Sequence, residues 1–556
     1  MSLLAPRTLP IPTHARRPGR ALRTLAAPLG LALAALASVA GAPAAGQEIS
    51  TTTPATPHER SSYADYTTHA EMVEYLREVK ATSPEMVLGR YGTTAEGREL
   101  LYALFSRPGI TTPAEAHASG RPILVLGANV HGFNYVLREG LLIMIREMAT
   151  PGTVMNALLD DLIVLVVPSK NPDALSIDSR FTPTGADLNR DYMALDQPSM
   201  AAYIGNLINR WHPHIYVDGH DGGAVQYGGA YPYNLLRQGP ALASADPSIT
   251  ELADHSVFPF LDARMEAAGY RAFYWARGDE ERWYGGGAAP RMGRNYGGLA
   301  NVLSILFEHA AWHDRETSLR SGIVAYSAIL EYAREHSDEL LGTIEAARAR
   351  TIALGEAGEG RVPVAETVEA EEFRVTFQVP DPDDPDRLLT VEDAELMKRP
   401  VATAYRDRPW AYVLPPQATE AAALLLRHNI QVERLTRTVE REGVAYTLAD
   451  VDWEESDNGV RAATLIEVGD EIEGSWELST GSYVVRTGQL LGRVVTHLLE
   501  PENTDNVFYW NRMTSLVPLA ELEAFRAGGE TGEAPLLPIR KLMVPTGLPT
   551  EVIERP

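Results

Sequence analysis

The residues that could carry chemistry in this chain stand where short apolar runs end. His131, His220 and Glu308 each follow such a run, and Asn171 opens an Asn-Pro-Asp sequence after another. The strands of an open α/β sheet carry binding groups just beyond their carboxyl ends, so these side chains can converge although they are far apart in sequence. Two imidazoles and a carboxylate form a donor set for a divalent metal. Because the chain has no cysteine, any metal site must use histidine, carboxylate or neutral oxygen ligands.

The elements that must position these residues are predicted between about Ser61 and Glu345, where apolar runs alternate with amphipathic stretches. This alternation is typical of a mostly parallel, mixed α/β sheet flanked by helices. Two glycine-rich tracts, residues 219–233 and 284–298, are long enough to act as walls of a site. We predict strands at 123–130, 162–167, 215–218 and 302–307, and helices at 135–148, 200–211 and 322–337.

Length and charge limit the classes of function. A chain of 556 residues is too long for one hydrophobic core and should divide into two or more domains. Its formal net charge is −25, with 49 basic against 74 acidic residues. Nucleic-acid binding is therefore not expected, since it needs a basic surface that displaces counterions.

Residues 1–46 are typical of a secretory signal peptide. They contain five arginines and no acidic residue, and the Leu- and Ala-rich run Leu25 to Ala40 is followed by small residues. We expect an exported protein, periplasmic or secreted, with no stable membrane span once the signal is cleaved. A retained membrane anchor is the alternative, although the run is shorter than the roughly 20 residues that cross a bilayer.

The sequence pattern changes near residues 355–360, a segment rich in glycine and glutamate, and this change indicates a domain boundary. We predict a catalytic domain at 61–345, a linker at 346–364 and a C-terminal accessory domain at 365–556. Short Val-rich runs and a helix at 418–428 predict that the accessory domain is smaller and β-rich or mixed.

Six motifs in consistent order resemble the zinc carboxypeptidase family, the carboxypeptidase A-like metallopeptidases, over about Tyr63 to Tyr332. The resemblance extends to the large exported bacterial members, through a similar C-terminal segment at 479–510. The motifs are Glu96-Gly97-Arg98, His131 to Asn134, Asn171-Pro172-Asp173, Asp187 to Tyr192, Asp218 to Asp221 and Leu306-Phe307-Glu308.

The resemblance implies a zinc ion held by His131, His220 and a third ligand. The family's glutamate ligand position holds Asn134 here, and a neutral amide oxygen is a weaker zinc ligand than a carboxylate. Glu139 cannot replace it, because five residues along a helix turn the side chain away. Asp218 shares a strand face with His220 and is either a replacement ligand or a hydrogen-bonding partner of that histidine.

The same resemblance implies the catalytic roles. Glu308 would be the general base, and Arg190 with Asn189 would hold the terminal carboxylate of a peptide or protein substrate. Arg180 would stabilise the oxyanion, or be a solvated loop arginine.

Two further choices stay open in the sequence. A catalytic phenol could come from Tyr284 or Tyr296. His309 and His313, four residues apart, form an alternative metal pair, but their order with Glu308 is not the His-Glu-x-x-His of zincins.

The expected function is zinc-dependent hydrolysis of peptide bonds near a free C-terminal carboxylate. Asn134 motivates an alternative from another class, a metal-poor pseudopeptidase that binds peptides without cleaving them. A small acyl-amino-acid amidase with the same metal chemistry is the third hypothesis.

Overall fold

The computed structural model describes residues 54–555, apart from 224, 227–228, 279–281, 311–313, 385, 457, 459–460 and 528–533. The predicted signal peptide, residues 1–46, lies outside this part of the chain. Of the helices within it, none is long and apolar enough to cross a membrane.

The strands of the described residues are numbered here in chain order. They are β1 Met86–Thr93, β2 Glu99–Phe105, β3 Ile123–Ala128, β4 Ile163–Val167, β5 Ile215–Asp221, β6 Val225–Gln226, β7 Gly229–Ala230, β8 Leu235–Gln238, β9 Ala272–Tyr274, β10 Ala276–Gly278, β11 Arg282–Gly285, β12 Leu303–His309, β13 Arg361–Pro380, β14 Leu388–Asp407, β15 Ala411–Leu414, β16 Glu433–Leu435, β17 Val439–Glu455, β18 Ala462–Leu478, β19 Tyr483–Arg486, β20 Leu536–Leu542 and β21 Thr550–Val552.

The α-helices are numbered in the same way. They are α1 Pro57–Arg60, α2 His69–Thr82, α3 Pro113–Ala118, α4 Val136–Ala149, α5 Val154–Ala157, α6 Pro172–Leu175, α7 Pro198–Ala202, α8 Asn209–Trp211, α9 Pro247–Leu252, α10 Phe258–Ala267, α11 Gly293–Leu299, α12 Arg315–Glu335, α13 Ser337–Ala357, α14 Thr419–Arg427, α15 Gly492–Leu499 and α16 Leu519–Arg526.

An eight-stranded mixed sheet of order β1-β2-β4-β3-β5-β12-β8-β9 holds the elements predicted to carry the site. β3, β4, β5 and β12 run in parallel, so their carboxyl ends lie along one edge. Every residue of β3 and β4 is buried, which explains why their sequences are uninterrupted apolar runs. The predicted α/β fold class is confirmed.

Alternate residues of β3 enter two separate hydrophobic clusters, because successive side chains of a strand point to opposite faces. Leu124 and Leu126 pack in the cluster that includes residues of α4 and α12. Ile123 and Val125 belong to the other cluster, which also contains Trp510 from the C-terminal part of the chain. The central sheet therefore shares one of its hydrophobic cores with C-terminal residues.

The C-terminal part is β-rich, as predicted. A seven-stranded sheet has the order β18-β17-β20-β15-β19-β16-β21, and a four-stranded sheet joins β10 and β11 to β14 and β13. The predicted helix at 418–428 is α14, shorter by one residue at each end.

The region predicted as a linker, 346–364, is mostly occupied by the end of α13 and the start of β13. α13 ends at Gly358, whose φ of 65° is the left-handed conformation that favours glycine at a helix end. The domain boundaries at 345 and 365 stay a prediction.

The helix predicted at 200–211 is divided into α7, a π-helical turn at Tyr203–Ile208, and α8. Gly205, in that turn, lies against the Arg427 carbonyl, and a Cβ there would be 2.3 Å from the oxygen. The division therefore coincides with a tight contact from the C-terminal part of the chain, which local periodicity does not reveal.

Candidate metal and substrate site

The carboxyl edge of the central sheet brings His131, His220 and Glu308 together. His220 lies on β5 and is the register partner of Glu308 on β12. His131 follows the end of β3 by three residues, and its ring centroid is 5.2 Å from that of His220. Three residues that are separated by up to 177 positions in the sequence thus meet because three neighbouring parallel strands end there.

Both imidazoles are buried and each has a nitrogen that lacks a hydrogen-bond partner among the described residues. These atoms are Nδ1 of His131 and Nε2 of His220. Asp187 Oδ1 lies 3.6 Å from the first nitrogen, and Asp218 Oδ2 lies 3.5 Å from the second. Burial, with the nearby Arg180 charge, holds the pKa of His131 well below its usual range. Buried imidazole nitrogens without a hydrogen-bond partner among the described residues fit a metal ion, which would bind them in their deprotonated form.

Asn134 is held in place by two hydrogen bonds. Its Oδ1 accepts from the backbone N–H of His131 at 3.1 Å, and its Nδ2 donates to the Asp221 carbonyl at 2.9 Å. The two partners fix which end of the amide is oxygen. The side-chain oxygen that Asn134 could offer a metal therefore already accepts one hydrogen bond within the loop that carries His131, which leaves it one lone pair.

A lysine that the sequence analysis missed, Lys170, lies beside His220. It is fully buried, bonds to Asp218 Oδ1, and donates to the Tyr216 hydroxyl at 3.2 Å. Burial alone would raise the pKa of Asp218, but the Lys170 and His220 charges hold it below its usual range. Its position, at a strand end directly before the Asn171 motif, was the signal available in the sequence.

Glu308 is partly buried, and its carboxylate lies against Gly222 in the glycine-rich tract that follows β5. Burial raises the pKa of Glu308, opposed by the charges of His220 and Arg180. A Cβ built on Gly222 would lie 3.1 Å from Glu308 Oε1, and the φ of 148° at Gly222 also favours glycine. A carboxylate of raised pKa beside two histidines has the properties of a general base.

The loop between α6 and α7 carries the predicted arginines. Arg180 forms an ion pair with Asp187, with Nη2 at 2.8 Å from Oδ2. Asp187 also accepts from the backbone N–H of Asn189 at 2.9 Å, which shapes the turn that bears Arg190. The Arg190 side chain donates to the Asn189 carbonyl at 2.8 Å.

A second missed residue, Arg294, lies on α11 next to this turn. The backbone N–H of Gly293 donates to Asn189 Oδ1 at 3.3 Å. Arg294 is buried, and its Nη2 donates to the Gly287 carbonyl at 2.7 Å. Burial and the Arg190 charge lower the pKa of Arg294 to about 9. The glycine-rich tract 284–298 was predicted as a wall of the site, but nothing in its pattern distinguished this arginine.

Comparison with known proteins gives the family of this region. Residues 72–265 match the zinc carboxypeptidase family model. This region of the chain is similar to zinc carboxypeptidases. The matched region includes His131, Asn134 and His220 and ends before Glu308.

Two curated relatives come from Trichophyton species. Carboxypeptidase 2 of Trichophyton rubrum is 25% identical over 461 residues, which cover 78% of this chain and 82% of the relative. Carboxypeptidase 2 of Trichophyton tonsurans is 25% identical over 435 residues, covering 74% and 77%.

Among solved structures, a metallo-carboxypeptidase from Burkholderia cenocepacia has a TM-score of 0.38 at 19% identity, covering 49% of this chain and 70% of that one. Carboxypeptidase A from Helicoverpa armigera has a TM-score of 0.38 at 15% identity, covering 51% and 75%. Because these TM-scores are low, the family assignment rests on the sequence match.

The two candidate phenols, Tyr284 and Tyr296, occupy different surroundings. Tyr296 is buried, and its hydroxyl contacts Asn209 Nδ2 at 2.6 Å and His428 Nδ1 at 2.8 Å. Tyr284 lies on β11 and is about half exposed. Tyr296 is thus engaged in packing with the C-terminal part, and Tyr284 is the candidate that remains accessible.

Glu139 and His309 both have partners of their own. Glu139 accepts from the backbone N–H of Thr67 at 2.9 Å and from the Thr67 hydroxyl at 2.6 Å. His309 is buried, with Nε2 at 2.8 Å from the Ser321 hydroxyl. His313, the other member of that predicted pair, lies outside the described residues.

The C-terminal part of the chain directly contacts the segments that carry Asp187 and Arg291. The Asp187 N–H donates to the Asn458 carbonyl at 3.4 Å. Buried Arg291, near the start of α11, pairs with buried Asp505 at 2.9 Å and donates to the Tyr509 hydroxyl at 2.9 Å. The C-terminal residues thus support the turn that carries Arg190 from two sides.

A second histidine cluster lies at the amino end of β5. It consists of His117, His214 and Glu345, whose potential ligand atoms all lie within 4.8 Å of one another. In the described part of the chain, this is the one group of three or more His, Asp or Glu residues that meets this distance. His214 Nδ1 accepts from the Ile123 N–H at 2.9 Å, so Nε2 carries the proton of the neutral ring. A metal at Nε2 would have to displace that proton, which disfavours this cluster as a metal site.

Proposed function

We propose that the chain is a zinc-dependent metallocarboxypeptidase that cleaves peptide bonds near a free C-terminal carboxylate. The observation that supports this most is the pair of unbonded imidazole nitrogens on His131 and His220, with Glu308 in register beside His220. The family match of residues 72–265 supports the same activity. Export to the periplasm or medium remains part of the proposal.

His131 and His220 would hold the zinc ion, with Asn134 as a weak third contact. Zinc, when bound, lowers the pKa of a coordinated water and polarises the scissile carbonyl. Asp187 Oδ1 and Asp218 Oδ2 lie 3.6 Å and 3.5 Å from the two nitrogens that would face the zinc, so each carboxylate is placed to offer it a further oxygen.

The side chains of the site would then divide the hydrolysis among them. Glu308 takes one proton from the attacking water while the water oxygen bonds to the carbonyl carbon. The carbon–nitrogen bond breaks, Glu308 returns that proton to the leaving amine, and the products are a carboxylic acid and the released amino acid. Arg190 and Asn189 hold the terminal carboxylate, and Arg180 stabilises charge on the carbonyl oxygen.

Replacing Glu308 by Gln tests the catalytic assignment. Glutamine keeps the shape of the side chain but cannot take the proton, so peptide hydrolysis should fall by about 10²- to 10⁴-fold. Binding of the same peptide, measured by calorimetry, should be retained. The matched control is Glu316→Gln, an exposed glutamate on α12 paired with Arg320, which should leave hydrolysis unchanged. Wild-type turnover in the Glu308 variant would remove this residue from the mechanism.

One observation favours a second candidate, a pseudopeptidase that binds peptides without cleaving them. Both polar ends of the Asn134 amide are occupied by hydrogen bonds, so the third ligand position is weak. Zinc stoichiometry by elemental analysis, backed by a calorimetric titration, distinguishes the two. About one tightly bound zinc per chain supports the hydrolase. Failure to bind zinc at micromolar free metal would make the binding protein the leading candidate.

A further inference from the structure

Arg294 is a buried cation that the proposed hydrolysis does not use. Its side chain lies on α11 with 4% of the residue exposed. The Nη2 atom donates to the Gly287 carbonyl, but Nε has no hydrogen-bond partner among the described residues. Buried charges are ordinarily paired, because removing an ion from water is costly. Arg294 therefore differs from the other buried cation at this edge of the sheet, Lys170, which is paired with Asp218.

Arg294 lies next to Asn189 and Arg190, the residues proposed to hold the terminal carboxylate of the substrate. The hydrogen bond from Gly293 N–H to Asn189 Oδ1 joins α11 to the turn, and the next residue on each side is an arginine, Arg294 and Arg190. A Cβ on Gly286 would lie 2.6 Å from Arg294 Nη2, so this guanidinium borders the glycine-rich tract. The Arg190 charge also acts on the Arg294 guanidinium, which lies beside a wall built from glycine.

Asp218 is the acidic residue whose charge acts on Arg294, but its carboxylate already has other partners. It bonds to Lys170 and accepts from the Tyr192 hydroxyl at 3.2 Å. Its Oδ2 fills the space beside Gly293, where a Cβ would be 2.1 Å away. Asp218 is thus committed to other groups, and an anionic ligand would balance the buried charge of Arg294.

We propose that Arg294 binds the side-chain carboxylate of the last substrate residue, so that the preferred substrates are peptides ending in glutamate or aspartate. This inference rests on the proposed function, because it assumes that Arg190 holds the α-carboxylate of the same residue. A substrate ending in Glu offers two carboxylates, one for each guanidinium. A substrate ending in Gln has nearly the same shape but leaves Arg294 buried without its anion.

The test compares four benzoyl dipeptides with a free C-terminus, ending in Glu, Gln, Leu and Lys, on the zinc-loaded protein. The Glu peptide should exceed the Gln peptide in kcat/KM by about 10- to 100-fold, the range for one hydrogen-bonded charge. Arg294→Gln should bring this ratio close to one, and Arg294→Lys should restore part of it. The control is Arg320→Gln on the exposed face of α12, which should keep the wild-type ratio.

A binding experiment separates failure of this inference from failure of the proposed function. The Glu308→Gln protein is titrated with the Glu and Gln peptides by calorimetry, with and without the Arg294→Gln change. If no peptide is cleaved but the Glu peptide binds more tightly through Arg294, the hydrolase is wrong and the inference stands. If peptides are cleaved with equal preference for Glu and Gln, the inference is wrong and the hydrolase stands. This second outcome is read from the ratio of kcat/KM for the Glu and Gln peptides on the wild-type protein. It therefore does not require any variant to fold.

Discussion

The two ends of strand β5 each carry a histidine pair, and the pairs differ in whether their nitrogens already have hydrogen-bond partners. His220 and His131 meet at the carboxyl end, and His214 and His117 meet at the amino end, about 20 Å away along the strand. The amino-end pair has a carboxylate, Glu345, within reach and so offers the better donor set by count. Counting donors would thus choose the amino end, whereas we propose that zinc binds at the carboxyl end.

The difference lies in what the nitrogens already bind. At the amino end, His214 Nδ1 accepts from a backbone N–H, which places the proton on the nitrogen that faces Glu345. Glu345 itself is bonded to the Arg348 guanidinium at 2.7 Å, so its charge is already compensated. At the carboxyl end, His131 and His220 each keep a nitrogen without a partner among the described residues. Availability of lone pairs, rather than the number of donors, identifies a metal site.

The largest expected effect follows directly from this comparison. His131→Ala should abolish measurable zinc binding and hydrolysis, because removing a ligand costs more than the roughly 10- to 100-fold lost with an outer partner. His117→Ala, the matched change at the other end of β5, should leave both unchanged. Zinc content by elemental analysis and affinity by calorimetry provide the measurements. Loss of zinc in the His117 variant alone would reverse the assignment.

Sequence reasoning found the carboxyl end for a physical reason. β3, β4, β5 and β12 are buried on both faces or nearly so, and this constraint produces apolar runs that are visible without a structure. The polar residues that end those runs, His131, His220 and Glu308, are therefore predictable as neighbours. The β-rich character of the C-terminal part was predictable from its short Val-rich runs.

The features of the candidate site that the sequence did not predict depend on contacts between distant segments of the chain. Lys170 and Arg294 are buried charges, and whether a charged residue is buried depends on partners that local periodicity does not encode. The hydrogen bond from Asn134 to Asp221 spans 87 residues. The support of the Arg190 turn by Asp505, through Arg291, joins positions 214 apart. Sequence patterns located the site but did not reveal how its hydrogen bonds are distributed.

Asn134→Glu would place a carboxylate near the histidine pair at the carboxyl end of β5, as Glu345 already does at the amino end. Zinc binding should tighten by about 100-fold, at the upper end of the effect of outer partners on metal affinity. Glutamate cannot donate to the Asp221 carbonyl, so the free energy of unfolding of the metal-free protein should fall by about 1–3 kcal/mol.

Asn134→Gln is the matched control for this change, because it alters length without adding charge. Zinc affinity, measured by calorimetry, should not tighten in the glutamine variant. Unchanged affinity in the glutamate variant would mean that another oxygen, such as one from Asp218, already serves as the third ligand.

The smallest expected effect concerns the amino end, where the histidine contributes to stability through its protonation. Burial, with the Arg348 charge, lowers the pKa of His214 to about 4, although the bond to Glu345 opposes this shift. The unfolded chain, with an ordinary histidine pKa, binds the proton more readily. Stability from His214 is therefore intact above about pH 6.5 and is lost as the pH falls toward 4.

Between about pH 7.5 and pH 5 this linkage should reduce the free energy of unfolding by about 2 kcal/mol. His214→Gln removes the titrating group while an amide oxygen can still accept from the Ile123 N–H. Urea unfolding of both proteins at the two pH values should show a smaller pH dependence in the variant by that amount. An equal pH dependence would mean that His214 is not held neutral, and the argument that its tautomer excludes a metal would fail with it.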